Sequence, residues 1–524
     1  MSDRYTNLAQ LVGRRHVAAV APGEEVIEVS VPVSTAAALY ERVRNTLDYQ
    51  EEHLLRRNAI LRILKRYLGT DVSLASLAGD LLKELVWAQY LPNRAIPVSL
   101  VNKLEPVIAK YEALLQTAER AKSQRELAFN WVLDVLATEI ETIVSPVPDE
   151  EALAAFMYDE VRRRTDWDPR LPIKEEDKDL RLYIAVHRSL LKSNPATLGY
   201  RVLTLYYPDW PGAANPELIE EVAKNLLKII EAVEREIKDP LTDRLSRMLR
   251  RRAGIFRVLG DALRDLIDKD PEGIADPDTL DTAVRHALEV RTANFRVRLR
   301  RTVVRAVVFL FITKMFLALL LELPYDLLIL GSEAHFYPLL INIIFPPLFL
   351  ALISLTVVIN NKKNSEDYVN AIRAVGIGAD HPILHLRVKH LVRSSWQLIF
   401  DGLYVLLFVA VYGAIAFGLM SIGFHWLSIV LFLFFLSLVT FFGIRIRQSI
   451  REIIASDARS GLVGTVFDIL LLPIVRAGAW MSNKISRINV FIYFFDFIIE
   501  APLKVAIEFI EGWLSFIREK KEEI

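Results

Sequence analysis

Through the first 300 positions apolar residues recur at three- and four-residue steps with charge between them; beyond Val303 the charges thin out and the apolar runs become continuous. The first pattern is that of helices with one buried face, the second that of helices surrounded by lipid. In the first half, Leu39, Val43, Leu47, Leu54, Leu61 and Leu64 share a side and predict a helix over 34–68, and a second helix is predicted over 73–90. From Ser99 to Val144 the positions Val101, Leu104, Ile108, Tyr111, Leu115, Ala118, Phe129, Val132 and Leu136 keep helical spacing, interrupted where Lys122 and Arg125 fall on the seam. That spacing predicts a coiled-coil-like hairpin. Helices over 149–164, 175–192 and 196–206 follow, divided by turns such as Asp166-Trp167-Asp168-Pro169 and Pro208-Asp209-Trp210-Pro211. Asn215 before Pro216 and Glu217 marks a helix start, with the amide capping free N–H groups and the proline preset for the first turn. That helix is predicted to reach Lys238, another to cover 241–266, and the last to begin near Asp278 and enter the first apolar segment unbroken. Residues 1–33 read as an extension whose one extended signal, Val26 to Val33 with Pro32 inside it, allows an edge strand at most.

The predicted fold class is therefore all-α: a helical domain over 34–300, four transmembrane helices at about 303–323, 336–358, 398–417 and 424–443, and an amphipathic C-terminal region over 463–524. Pro346-Pro347 predicts a kink in the second span. Arg291, Arg296, Arg298, Arg300 and Arg301 precede the first span, and Lys362, Lys363, Arg373, Arg387, Lys389 and Arg393 fill the basic connection 359–397. Arg445, Arg447, Arg451 and Arg459 follow the fourth span, while the other two turns carry only Asp326 and Glu333 or no charge. By the positive-inside rule both termini face the cytoplasm of a multi-pass protein of the cell membrane, with Trp396, Tyr337 and Trp426 fitting an aromatic belt. Met1-Ser-Asp-Arg-Tyr lacks the apolar core of a signal peptide, so the N-terminal half is expected in the cytoplasm.

Charge and composition narrow the chemistry. The 524 residues hold 64 Lys+Arg against 64 Asp+Glu, a zero balance that describes neither half, and no cysteine, which excludes disulfides, thiolate catalysis and Cys-ligated metals. There is no GxxxxGKS/T loop, no GxSxG elbow and no kinase signature, and Gly376-Ile-Gly378 lacks a third glycine in place, so an enzyme is unsupported and no cofactor is expected. His381, His385 and His390 beside Asp380 have partial zinc spacing, but Pro382 breaks the helix they would need, so no metal is expected. The run Arg244, Arg247, Arg250, Arg251, Arg252 and Arg257 offers guanidinium groups to phosphates; flanking carboxylates weaken that field, which makes nucleic acid an unlikely partner and anionic lipid the better one.

Ionisable groups within the spans carry the sharper signal, because a charge in hydrocarbon is tolerated only with a partner or water. Lys314 lies about 11 residues into the first span, roughly 16 Å deep; Asp401 at the inner end of the third is its expected counter-ion, with Glu322 towards the outer side. A structural ion pair outweighs a cation relay, since the second span has no ionisable residue to line a path. In the C-terminal region Asp468, Pro473, Arg476, Lys484 and Arg487 interrupt the apolar runs, predicting an interfacial or re-entrant segment. Beyond it, Asp496, Glu500, Lys504, Glu508 and Glu511 form one polar stripe along an otherwise apolar helix. The expected function is a non-enzymatic, membrane-anchored scaffold that binds partners through its helical domain, with the basic neck Arg291, Arg296, Arg298, Arg300 and Arg301 facing lipid headgroups. A second copy of the chain or a protein partner is expected, the C-terminal stripe packing against the basic connection Lys362 to Arg393, self-associating or lying on the membrane. The alternative is a transporter or exchanger of a small cation or proton through Lys314, Asp401 and Glu322.

Overall fold

A computed structural model of the chain describes residues 2–12, 24–29, 41, 52–68, 77–120, 124–171, 173–212, 214–325, 328, 336–355, 361–378, 384–386, 395–450 and 462–485. The polar stripe Asp496, Glu500, Lys504, Glu508 and Glu511 lies outside them, as do His381, His390, Lys122 and most of 34–51.

Among the described residues the chain is all-α apart from two three-residue strands. Before the spans come α1 (Ser2–Val12), α2 (Glu52–Tyr67), α3 (Leu77–Trp87), α4 (Ser99–Arg120), α5 (Arg125–Val144), α6 (Pro148–Arg163), α7 (Glu175–Leu190), α8 (Pro195–Tyr206), α9 (Pro216–Lys224), α10 (Leu226–Ile237) and α11 (Pro240–Lys269). An Asx-Pro pair opens α8, α9 and α11: the side chain of Asn194, Asn215 or Asp239 accepts an N–H of the first turn, and the proline at the first helical position has no N–H to satisfy. Asp276-Pro277 starts α12 (Pro277–Leu317) in the same way. The helix predicted from 216 to 238 is two, because the chain breaks at Asn225, whose side-chain amide donates to the Glu221 carbonyl. Ile27 N–H donates to the Ile96 carbonyl and Val98 N–H to that of Glu25, each at 2.9 Å, so the extended signal near Val26 makes a bridge and no longer strand among the described residues.

Two apolar cores organise this region. The first gathers the α4–α5 hairpin with α2, α3 and α8 to α10; the second gathers α1, α6, α11 and the start of α12. Helix α7 lies between them, giving Ile184 to the first core and Leu182, Ala185 and Val186 to the second, which is why it is buried on several sides. Arg201 of α8 forks onto Glu151 of α6, one of its bonds measuring 2.8 Å.

Four helices are long and apolar enough to cross a membrane: the distal part of α12 continued to Tyr325, α13 (Phe336–Leu355), α15 (Ser395–Ser421) and α16 (Trp426–Ile450). Along α12 no residue from 293 to 309 is fully buried, and Phe309 and Phe417 are 68% and 76% exposed, surface that suits lipid and not water. Helix α13 continues through Pro346 and Pro347. The segment whose apolar runs Pro473 and Arg476 interrupt forms one helix, α17 (Leu462–Ile485), packed against α16 and α15. Gly478 permits that approach: a Cβ there would sit 2.1 Å from the Ser437 carbonyl oxygen. Arg476 stacks over the Tyr404 ring of α15 at 4.6 Å.

The segment joining the second and third spans belongs to the second core. Helix α14 (Asn361–Gly376) places Tyr368, Val369, Ile372 and Val375 there, at helical spacing along one face. Tyr5 donates to the Ile372 carbonyl at 2.5 Å and Arg373 pairs with Asp281 of α12. The carbonyls that end α14 are held from the domain: Arg4 donates to Val375 at 3.0 Å and Arg163 to Gly378 at 3.3 Å, Gly378 closing the helix at φ +69°. Both guanidiniums are aligned by Glu160, whose fully buried carboxylate also accepts from Arg164 at 2.9 Å. Burial lifts the Glu160 carboxyl, yet these arginines hold it below the ordinary carboxylate range. Further along, β1 (Thr165–Trp167) pairs in parallel with β2 (Leu384–Leu386), a second tie between the connection and the domain.

Candidate functional site

Three of the four described spans converge on a polar centre. Lys314 and Glu322 are both fully buried, with Nζ 3.2 Å from Oε1. In an unbroken α-helix residues eight apart are about 80° out of phase. Ala318–Glu322 is a π-helical turn, and its wider i→i+5 winding advances less per residue, which brings Glu322 back over the Lys314 face. The second span adds Asn342, whose Nδ2 donates to Glu322 Oε1 at 2.7 Å and to the Ser428 carbonyl at 3.3 Å. The fourth adds Ser428, whose hydroxyl donates to Glu322 Oε2 at 3.2 Å. Glu322 thus receives a donor from its own helix and from each of two neighbours, α13 and α16, and ties three spans together.

A direction runs through these bonds. His425, just before α16, caps that helix by accepting the Ser428 N–H on Nδ1 at 3.3 Å. A backbone N–H can only donate, so a neutral ring carries its proton on Nε2, which then gives it to the Ser428 hydroxyl 2.9 Å away. The hydroxyl is left to donate to Glu322. Tyr325 stacks on His425 at 4.7 Å and accepts from Trp426 Nε1 at 2.6 Å, extending the polar end of the site to an exposed tryptophan. On the opposite side Lys314 faces the Phe435 ring at 4.6 Å, and one turn beyond it Leu310, Leu350, Phe435 and Val439 form a dry cluster. Among the described residues, Asn342 Oδ1 is buried without a hydrogen-bond partner.

The counter-ion of Lys314 is Glu322 and not Asp401. Asp401 is exposed on α15, while the lysine reaches towards the glutamate that the π turn presents. Asn342, Ser428 and His425 complete the centre, and the signal for them was shared depth: Glu322, Asn342 and the His425–Ser428 pair all fall near the same ends of their spans. In the basic neck, Arg291 turns away from lipid to pair with Asp261 of α11 at 2.7 Å, whereas Arg296, Arg298, Arg300 and Arg301 are exposed. In the run from Arg244, Arg257 is committed to the carbonyls of Ser189 and Leu190, at 2.6 and 2.9 Å, whereas Arg247, Arg250 and Arg252 are exposed.

A second buried centre lies in the first core. Lys110 Nζ donates to both oxygens of Glu139, at 2.8 and 3.0 Å, and to the carbonyls of Trp210 and Gly212, at 2.6 and 2.9 Å. Glu139 also accepts from Tyr111 and from the Gly212 N–H, at 2.6 and 2.7 Å. Burial pulls the lysine pKa down while Glu139 pulls it back up. Each of these charges is enclosed by its own partners, and the arrangement pins the 207–212 turn onto the α4–α5 hairpin. No group of three or more metal-ligating side chains occurs among the described residues. The chain matches no known family model, no curated protein and no solved structure.

Proposed function

We propose that this chain is a non-enzymatic scaffold of the cell membrane, whose helical domain lies on the cytoplasmic side and presents a fixed surface to protein partners and anionic headgroups. The observation that carries this reading is the double attachment: α12 runs unbroken from the domain into the first span, and α14, between the second and third spans, is part of the domain's own core. A domain tied at one point can swing; one tied at two points, sharing a core with its anchor, keeps one face towards the bilayer. The cytoplasmic side follows from the basic flanks. Self-association through 488–524 is part of the reading, and deleting that segment should lower the oligomeric size without preventing insertion.

The hydrogen-bonded line from His425 to Lys314 favours a second reading, transfer of a proton or small cation. It ends on one side at the dry cluster of Leu310, Leu350, Phe435 and Val439, which supports a lock between spans over a path through them. Purified protein in liposomes containing pH and potassium dyes separates the two. The scaffold reading expects wild type to match protein-free vesicles; flux in wild type that Lys314→Met abolishes would replace it with transport.

A further inference from the structure

Where α12 leaves the domain, an open cleft of about 1120 Å³ lies between the helix, α11, the 190–192 turn and the end of α5. Its α12 wall carries Arg291, Asn294, Arg298 and Arg301, at steps of three, four and three and so along one helical face. Seven arginine or lysine side chains line the cleft against four carboxylates, so its field is positive. Most of these cations are already engaged: Arg291 and Arg264 with Asp261, Arg56 with Glu141, and Arg257 with backbone carbonyls. They make the walls. Arg298 and Arg301 are exposed and hold no ion pair or hydrogen bond among the described residues.

We infer that this cleft binds a phosphate ester, with Arg298 and Arg301 as its anion-holding pair. Two guanidiniums one turn apart can each offer paired N–H donors to phosphate oxygens, and the volume exceeds what a phosphate alone would fill. The stripe descends towards the bilayer, Arg301 standing two residues before the apolar run that starts at Val303. That placement assigns the phosphate to an anionic phospholipid headgroup, an assignment that rests on the membrane-scaffold reading above.

The test counts phosphatidylglycerol retained by the full-length protein in neutral detergent, by native mass spectrometry. Wild type is compared with Arg298→Gln/Arg301→Gln and with Arg296→Gln/Arg300→Gln, which removes the same charge outside the cleft. The cleft pair should weaken retention roughly 30-fold, at about a kilocalorie per cation, and the control pair less than threefold. Equal weakening by both pairs, or none by either, overturns the proposal. Glycerol 3-phosphate displacing the lipid at equal concentration assigns the same cleft to a soluble phosphate ester; failure to displace it assigns the lipid. Flux through liposomes with intact lipid retention would remove the scaffold reading and leave the cleft standing.

Discussion

Removing Glu322 should cost more than removing Lys314, and removing both should cost less than either. Lys314→Met leaves the carboxylate its donors from Asn342 and Ser428. Glu322→Leu leaves the ammonium facing only the Phe435 ring and strips the Ser428 hydroxyl of its acceptor. Breaking a buried pair costs about 3–5 kcal/mol, and a buried polar group left unmade adds about 1–3 kcal/mol. Lys314→Met thus belongs near 3 kcal/mol and Glu322→Leu at 5 or above, about 6–12 °C and 10–20 °C of melting temperature for a unit of this size. The double variant has no buried charge left to strand but still leaves the Asn342 amide and the Ser428 hydroxyl without the Glu322 acceptor, so it should fall below wild type by about 1–3 kcal/mol and stay above either single variant. The assay is thermal unfolding in lipid nanodiscs, followed by tryptophan fluorescence and by recovery of the monodisperse peak. Additive losses would refute the coupling, because they require that the two groups not depend on each other, and a milder Glu322→Leu than Lys314→Met would refute the ranking.

Four further outcomes follow from the same geometry. Glu160→Gln should release Arg4 and Arg163 from the end of α14, raising hydrogen exchange across 361–376 and lowering stability by about 3 kcal/mol, while exchange in the α4–α5 hairpin stays unchanged. Burial raises the Glu151 carboxyl, but the His187 ring 3.7 Å away and the hydrogen bonds from Arg201 prevail and hold it at about 2, so its contribution is present above pH 4.5 and lost as pH falls towards 2. That side chain is 41% exposed and water screens it, which limits the effect to about 1 kcal/mol; Glu151→Gln should flatten this acid limb in a stability-versus-pH series. Lys110→Met strands Glu139 and the carbonyls of Trp210 and Gly212, and should cost about 3–5 kcal/mol and open the 207–212 turn to limited proteolysis. Gly478→Leu drives a side chain into the Ser437 carbonyl and should part α17 from α16, read as a lower melting temperature and faster exchange in 462–485.

Much of the helical architecture was legible because apolar spacing and Asx-Pro starts are local. The unbroken helical pattern from near Asp278 sufficed for α12, which the structure starts at Pro277. Asn225 was not legible as a break, since asparagine also occurs within helices, and its local bond back to the Glu221 carbonyl is one that an uninterrupted helix can hold as well. The partner of Lys314 was misread for a specific reason: spacing on an ideal helix puts Glu322 out of phase, and no periodicity announces a π turn. Helix α14 was legible in part. Tyr368, Val369, Ile372 and Val375 carry a buried stripe, but Lys362, Lys363 and Arg373 around them drew the reading to charge. Arg298 and Arg301 could be seen as basic and not as unpaired, because pairing depends on where Asp261 and its neighbours sit in space.

The 41 residues of α12 span about 62 Å as one rod, and that makes the neck a device for setting azimuth. Each residue of an α-helix turns the chain by about 100°. One residue inserted between 293 and 309 would rotate the first span by that angle against a domain that α14 also grips, so the two attachments would demand different rotations of the bundle about the membrane normal. Seven inserted residues add nearly two whole turns and restore the heading at the expense of about 10 Å of height. The length of the neck is therefore quantised: its natural variation should come in whole turns, matched by lengthening of the joints on either side of α14.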